Sequence, residues 1–398
     1  MTVRLQEGAG WVERELTDRQ AAVLGASGLV RITNGPRAGV WRLRDDGLVG
    51  SARVGGPNDA VDLHVAPKTP IDRLVFLLGY AQRPLGWRQD EVDAGERPDL
   101  LPALAHAFAR AAERALRQGV LLGYREVEEP LAVVRGRVRV ADQVRRRYGV
   151  PVPVEVRYDD YTPDTDENRL LFGAARRLMR LPGVPAETRR MLRHLLVRLD
   201  GVRGFVPGRP LPEWTPTRLN ARYHTALGLA GMILRGASFE LDGGASVRVD
   251  GLMLTMWRVF EDFVTAALAD ALRPLGGKVE TQDVRHHLDH GRRVRLRPDL
   301  VHYGRDGRPR AAVDAKYKIE TKVGKHEADL YQVLAYCTAL GVKRGHLVYA
   351  AGDAVPHVHR IVGTADVRIE ETALDLAASP DVLLARIGDL ARRIGAGG

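Results

Sequence analysis

The stretch RPDLVHYGRDGRPRAAVDAKYKIETKVGK, residues 297 to 325, decides how the chain is read. The chain holds 53 arginines and only 7 lysines, yet Lys316, Lys318, Lys322 and Lys325 fall within ten residues here. A lysine ammonium is a compact charge that can approach one oxygen or exchange a proton, whereas a guanidinium is wide and permanently charged. Arginine serves elsewhere for charge alone, so these lysines point to chemistry. Between two apolar runs sits Gly304-Arg305-Asp306-Gly307, and Asp-Gly is a strong signal for a two-residue hairpin loop. With Asp306 and Gly307 as that loop, opposed residues sum to 613, which sets Asp299 across from Asp314. Opposed residues share a sheet face with Cβ atoms about 5 Å apart, and strand alternation brings Lys316 to the same face.

Two carboxylates held this close repel each other, and a solvated hairpin gains nothing from the arrangement. A divalent cation removes the conflict. Mg²⁺ takes oxygen ligands, keeps several waters and lowers the pKa of a bound water, and Mn²⁺ suits the same donors. Lys316 would then position that water or stabilise charge on a phosphate oxygen. The alternative is a surface hairpin with ordinary ion pairs.

Working outward, 43.8 kDa implies two or three domains, and 45% hydrophobic residues provide ample core material. The expected class is mixed α/β, with segments 1–120, 121–240 and 241–398. In the first, Thr17 and Gln20 have capping-box spacing, strand-like LVRI, VWRL and VDLHV follow, and LLPALAHAFARAAERALRQ reads as a helix. The middle begins with strand-like LAVVRGRVRV and PVPVEVRY, then three helices: DENRLLFGAARRLMRL, one over 186–199 and one over 217–235. The last segment reads as helix LMLTMWRVFEDFVTAALADAL, strands KVETQDVRHH, RRVRLRPDLVHY and PRAAVDAKYK, helix EADLYQVLAYCTAL and strand HLVYA.

The start carries no apolar signal core, and the longest apolar runs fall well short of the ~20 residues of a membrane span, so a cytoplasmic location is expected. A single cysteine, Cys337, excludes an intrachain disulfide framework and a cysteine-based zinc cluster; its apolar setting favours burial. Net charge is +10, of which residues 1–240 carry +8, so the basic excess lies outside the opening stretch. Eight arginines against two acids between 176 and 203 form either solvated helix faces or a surface for an acidic partner.

Pro298-Asp299, the hairpin and Asp314-Ala315-Lys316 together resemble the PD-(D/E)xK nuclease signature. Gln332 and Tyr336, one turn apart on a helix, resemble the QxxxY motif of its RecB-like branch, and Glu261 in MWRVFEDFV matches the acid on the preceding helix. VDAKYK with DLYQVLAY, DTDENRLLFGAARRL, YREVEEPLAVVRGRV and VDLHVAPKTPIDRLVFLLGYA are, more narrowly, similar to the McrC family across about residues 50 to 350. That resemblance implies a C-terminal restriction-endonuclease-like domain behind an N-terminal α+β partner-docking part. It implies the nuclease subunit of a modification-dependent, type IV restriction system cutting double-stranded DNA with modified cytosine. It also implies docking on a McrB-like AAA+ GTPase ring. In this set Asp299, Asp314 and Glu261 would hold Mg²⁺, Lys316 would activate water, and Gln332 and Tyr336 would support them.

The chain has no G-x-x-x-x-G-K-[ST] loop, so GTP would enter only through the partner. Cutting both strands needs two sites or two events, so a homodimer through the nuclease part is an expectation. His286, His287 and His290 lack cysteine partners and helical i, i+4 spacing and are not expected to bind metal. Asn168 and Arg169 are expected to cap and buttress a helix. Lys318, Lys322 and Lys325 divide between DNA contact and solvation. Rival readings are a free-standing RecB-like nuclease and a non-catalytic activator of a GTPase ring.

Overall fold

A computed structural model describes residues 1–82, 99–204, 210–235, 249–317, 327–350, 357–363 and 366–396. The chain forms two units, Met1–Leu104 with Gly236–Gly398, and Ala105–Arg235. The first unit draws on both ends of the chain, residues 1–104 and 236–398.

The first unit begins with β1 (Thr2–Gln6), β2 (Val12–Glu15), α1 (Asp18–Ala26), β3 (Val30–Asn34), β4 (Val40–Asp45), β5 (Leu48–Val54), β6 (Val61–Ala66) and α2 (Ile71–Gln82); α3 (Leu100–Leu116) follows, and most of it belongs to the second unit. The capping box forms as expected: Gln20 N donates to Thr17 Oγ1 at 3.3 Å and Thr17 N donates to Gln20 Oε1 at 3.0 Å. Strands β2, β4 and β3 make a small antiparallel sheet.

The second unit holds β7 (Gly123–Leu131), β8 (Arg137–Val138), α4 (Val140–Arg147), β9 (Val154–Thr162), α5 (Asp166–Arg180), α6 (Ala186–Arg198) and, after a 3-10 turn at Ala221–Tyr223, α7 (His224–Arg235). The expected strand LAVVRGRVRV is mostly absent, and the long strand is the preceding GYREVEEPL. None of its residues is buried, so no apolar alternation marks it, and as an edge strand of the order β7-β9-β8 it tolerates Pro130. Val133 and Val134, which suggested a strand, are exposed.

Asp164, 4% exposed, organises this unit. Its carboxylate accepts from Arg169 Nε and Nη2, both at 2.8 Å, from Arg203 N and Nε, both at 2.9 Å, and from Arg125. Burial alone would raise its pKa, but the bonds from Arg169 and Arg203 outweigh that and hold it at about 2. Buried Asn168 donates to the carbonyls of Leu121 and Pro163, both at 2.7 Å, so Asn168 and Arg169 buttress α5 as expected. Within the arginine-rich stretch, Arg189 donates to the carbonyl of Met179 in the last turn of α5 and to those of Leu181 and Val184 between α5 and α6.

The first unit resumes with β10 (Val249–Thr255), α8 (Met256–Leu272), β11 (Lys278–Thr281), β12 (Leu300–Tyr303), β13 (Pro309–Lys316), α9 (Glu327–Leu340), β14 (Arg344–Tyr349), β15 (His357–Arg360), β16 (Arg368–Ala373) and α10 (Pro380–Gly395). Strand β10 completes the sheet β1-β6-β5-β10 by pairing antiparallel with β5. Gly50 permits that approach: its φ is +134°, and a Cβ there would lie 2.1 Å from the Leu252 carbonyl oxygen. The expected helix from Leu252 therefore begins at Met256, because LMLT is strand. A short apolar run does not distinguish the two states by period, and the pairing partner lies some two hundred residues away.

The remaining strands form the six-stranded mixed sheet β11-β12-β13-β14-β16-β15. The expected strands over KVETQDVRHH and RRVRLRPDLVHY shrink to Lys278–Thr281 and Leu300–Tyr303. Leu296, Ala312, Val333, Tyr336, Cys337, Leu347 and Ile369 share one buried cluster of the sheet and α9, and burial pushes the Cys337 thiol up to about 12.

Candidate active site

The β12–β13 hairpin departs from expectation twice, and the departures cancel. Gly304 N donates to Arg308 O at 2.8 Å and Gly307 has φ +75°, so the loop is the three residues Arg305, Asp306 and Gly307. Tyr303 consequently pairs with Pro309, but an irregularity between His302 and Tyr303 takes up one residue on β13, and Leu300 pairs with Val313. The expected sum of 613 returns at the end that carries Asp299 and Asp314.

Asp299, 7% exposed, precedes β12, and its Oδ2 accepts from Ala315 N at 2.8 Å. Asp314, 1% exposed, has Oδ2 2.6 Å from Lys316 Nζ. Burial lifts both carboxyls above the usual carboxylate range; the charge of Glu261 adds to it for Asp299, and that of Asp299 adds to it for Asp314. The bond from Ala315 N and the charge of Lys316 offset only part of this. Burial opposes the Lys316 ammonium, yet Asp314, then Asp299 and Asp329, outweigh it and raise its pKa. Lys316 is thus a cation at neutral pH.

Glu261 sits on α8, which buries Val259, Phe260, Phe263 and Val264 and packs beside β11 and β13. Its carboxylate accepts from Gln282 Nε2, which also donates to Asp299 Oδ1 at 3.1 Å. On α9, buried Tyr336 Oη accepts from Gln332 Nε2 at 2.7 Å and donates to the Arg297 carbonyl at 3.3 Å, two residues before Asp299. The helix thereby fixes the segment that presents Asp299.

All six residues singled out in the sequence fall in this region, and two that were not join them. Gln282 touches two of the carboxylates but lies in a polar segment with no motif. Asp329, 6% exposed, accepts from Tyr349 Oη at 3.3 Å, and Tyr349 is the register partner of Lys316. An acid in a first helical turn reads as a complement to the helix dipole, which concealed it. His286 is engaged with Tyr303 Oη at 2.8 Å, beside Asp283. Lys318, Lys322 and Lys325 lie outside the described residues.

Among the described residues no three His, Cys, Asp or Glu side chains form a ready-made metal cage. The donors fit a hard cation that does not need one: Mg²⁺ is commonly held by one or two carboxylates, its other positions being water and substrate phosphate. Buried carboxylates brought together in this way are also the environment such a charge relieves.

These features define a multi-domain mixed α/β protein with a buried acid–lysine site on a mixed sheet. The model of the McrBC 5-methylcytosine restriction system component family matches residues 43–350, and the chain belongs to that family. The fold is similar to a chain of the refined half-complex from a tetradecameric assembly of Thermococcus gammatolerans McrB AAA+ hexamers with bound McrC. The TM-score is 0.59 at 16% identity, over 99% of this chain and 100% of that one. A chain of the cryo-EM structure of the T. gammatolerans McrBC complex aligns at TM-score 0.41 and 18% identity, over 68% and 88% of the two chains. No curated protein matches the chain. No helix of the described residues is long and apolar enough to cross a membrane.

Proposed function

We propose that this chain is the DNA-cutting subunit of a McrBC-type restriction system, a Mg²⁺-dependent endodeoxyribonuclease of the PD-(D/E)xK kind. The observation that carries the reading is the convergence of buried Asp299 and Asp314 with Lys316 at a sheet register that also admits Glu261. Asp299 and Asp314 would hold the cation, with Glu261 completing or orienting its surroundings. When bound, the cation supplies charge for a phosphate oxygen and a water of lowered pKa. Lys316, paired with Asp314, is an ammonium rather than a base; it would orient the attacking water or stabilise charge on the phosphate. Tyr336 and Gln332 hold the Asp299 segment in place through the Arg297 carbonyl.

The family match supports a place in a 5-methylcytosine restriction system, with modified double-stranded DNA as substrate. The likeness to a chain from an assembly of McrB hexamers with bound McrC supports docking on an AAA+ GTPase ring. With no phosphate-binding loop in its sequence, this chain would leave GTP hydrolysis to that ring. The test supplies the full-length chain with a McrB-type ring, GTP and Mg²⁺, on plasmids with and without methylated cytosine. Cleavage of the methylated plasmid is expected only when chain and ring are both present. Equal cutting of unmethylated plasmid by the chain alone would favour a free-standing nuclease.

A further inference from the structure

Gln282 stands out by its backbone. It follows β11 with φ +53°, in the left-handed region that L residues other than Gly, Asn and Asp seldom adopt. Both flanks impose this conformation. Gln282 N donates to the Asp299 carbonyl at 2.9 Å. The next residue, buried Asp283, accepts from Tyr303 Oη at 2.6 Å and from Arg285 Nε at 2.8 Å. A glycine would sit there without strain, so the side chain is the reason to look for a role.

That side chain joins two elements. Its Nε2 donates to Glu261 on α8 and to Asp299 Oδ1 ahead of β12. Both partners only accept, so the amide nitrogen rather than its oxygen must face them, and its two hydrogens serve one carboxylate each. The amide is neutral: it draws two anions together while leaving their charge uncompensated. A lysine or arginine at this point would neutralise the pair and compete with a cation.

We infer that Gln282 is a positioning residue that holds the Glu261 and Asp299 carboxylates together for a divalent cation. This rests on the metal-dependent reading of the same site. Partners that orient metal ligands commonly affect metal affinity by about 10- to 100-fold, and a loss of that size is expected when the amide is removed.

The test measures Mn²⁺ binding to the full-length chain by the loss of the free-ion EPR signal, without DNA, alongside thermal melting. Gln282→Gly removes the amide and relieves the left-handed backbone; Gln282→Asn tolerates that backbone but is one methylene too short to span both carboxylates. Both variants are expected to melt no lower than the parent yet bind Mn²⁺ about tenfold or more weakly, with Asp314→Ala losing binding altogether. Parental affinity in a folded Gln282→Gly or Gln282→Asn chain, with binding lost in Asp314→Ala, overturns the role of Gln282 and leaves the metal site standing. Parental affinity in Asp314→Ala overturns the metal site, and the inference with it.

Discussion

The β12–β13 hairpin and the β7–β9 strand pair are both rich in charge and use it in opposite ways. Around β7 and β9 many charges are accessible and matched: Arg157 meets Glu126 and Glu128, and Arg135 meets Asp160. Such pairs contribute about 0 to 1 kcal/mol each. On β12 and β13 the charges are few, buried and unmatched, with Asp299 and Asp314 facing one ammonium and Glu261 close by. A protein of net charge +10 thus concentrates negative charge where its proposed chemistry lies. Overall charge is a poor guide to the site; buried imbalance is a better one.

The largest expected effect follows from that imbalance. Lys316→Ala should lower DNA cleavage by about 10² to 10⁴, since positioned acid–base and charge assistance is of that order. Lys316→Arg sharpens the point. A guanidinium keeps the charge but not the compact approach beside Asp314, so the variant should be nearly inactive. Parental activity in Lys316→Arg would reduce the residue to a generic positive charge, as on the β7–β9 surface.

Next comes Asp164, a carboxylate of the second unit that is buried like those at the site but is over-supplied with cations. Asp164→Asn should cost about 2 kcal/mol in urea unfolding, given ~1.5–3 kcal/mol for hydrogen bonds to charged groups. Its folded pKa is lowered to about 2, so its contribution is fully present above the unfolded value near 4 and is lost as pH falls through about 2. The Asn variant should therefore lose less stability than the parent over that interval; parallel curves would show that the arginines do not hold this carboxylate down. The smallest effect belongs to the surface. Arg145, 70% exposed and paired with Asp142 at i, i+3, should cost about 0.3–0.5 kcal/mol as Arg145→Ala, read from the same unfolding curves.

The same contrast explains what could be read from the sequence. The Asp299, Asp314 and Lys316 alignment was legible because turn chemistry and strand alternation act over a few residues, although it survived only because a longer loop and an irregular pairing at His302 and Tyr303 compensate. Gln332 and Tyr336 were legible through helix spacing. Strand β7 was not, because a strand with no fully buried residue has no apolar period, and β10 was not, because its state is decided by pairing with β5. Gln282 had no signal at all: left-handed backbone at a residue other than glycine is imposed by its neighbours' hydrogen bonds, which only the fold assembles.

The most direct test of the central claim separates cutting from docking in one chain. Full-length Asp314→Ala is combined with the McrB-type ring, GTP, Mg²⁺ and methylated plasmid, and both cleavage and GTP turnover are measured against the parent. The buried carboxylate is assigned to the cation and to Lys316 and not to docking, so GTP turnover should be stimulated as by the parent while cleavage falls by about 10² or more. Cleavage by Asp314→Ala at the parental rate would contradict the account, since the acid–lysine site would then not be where DNA is cut.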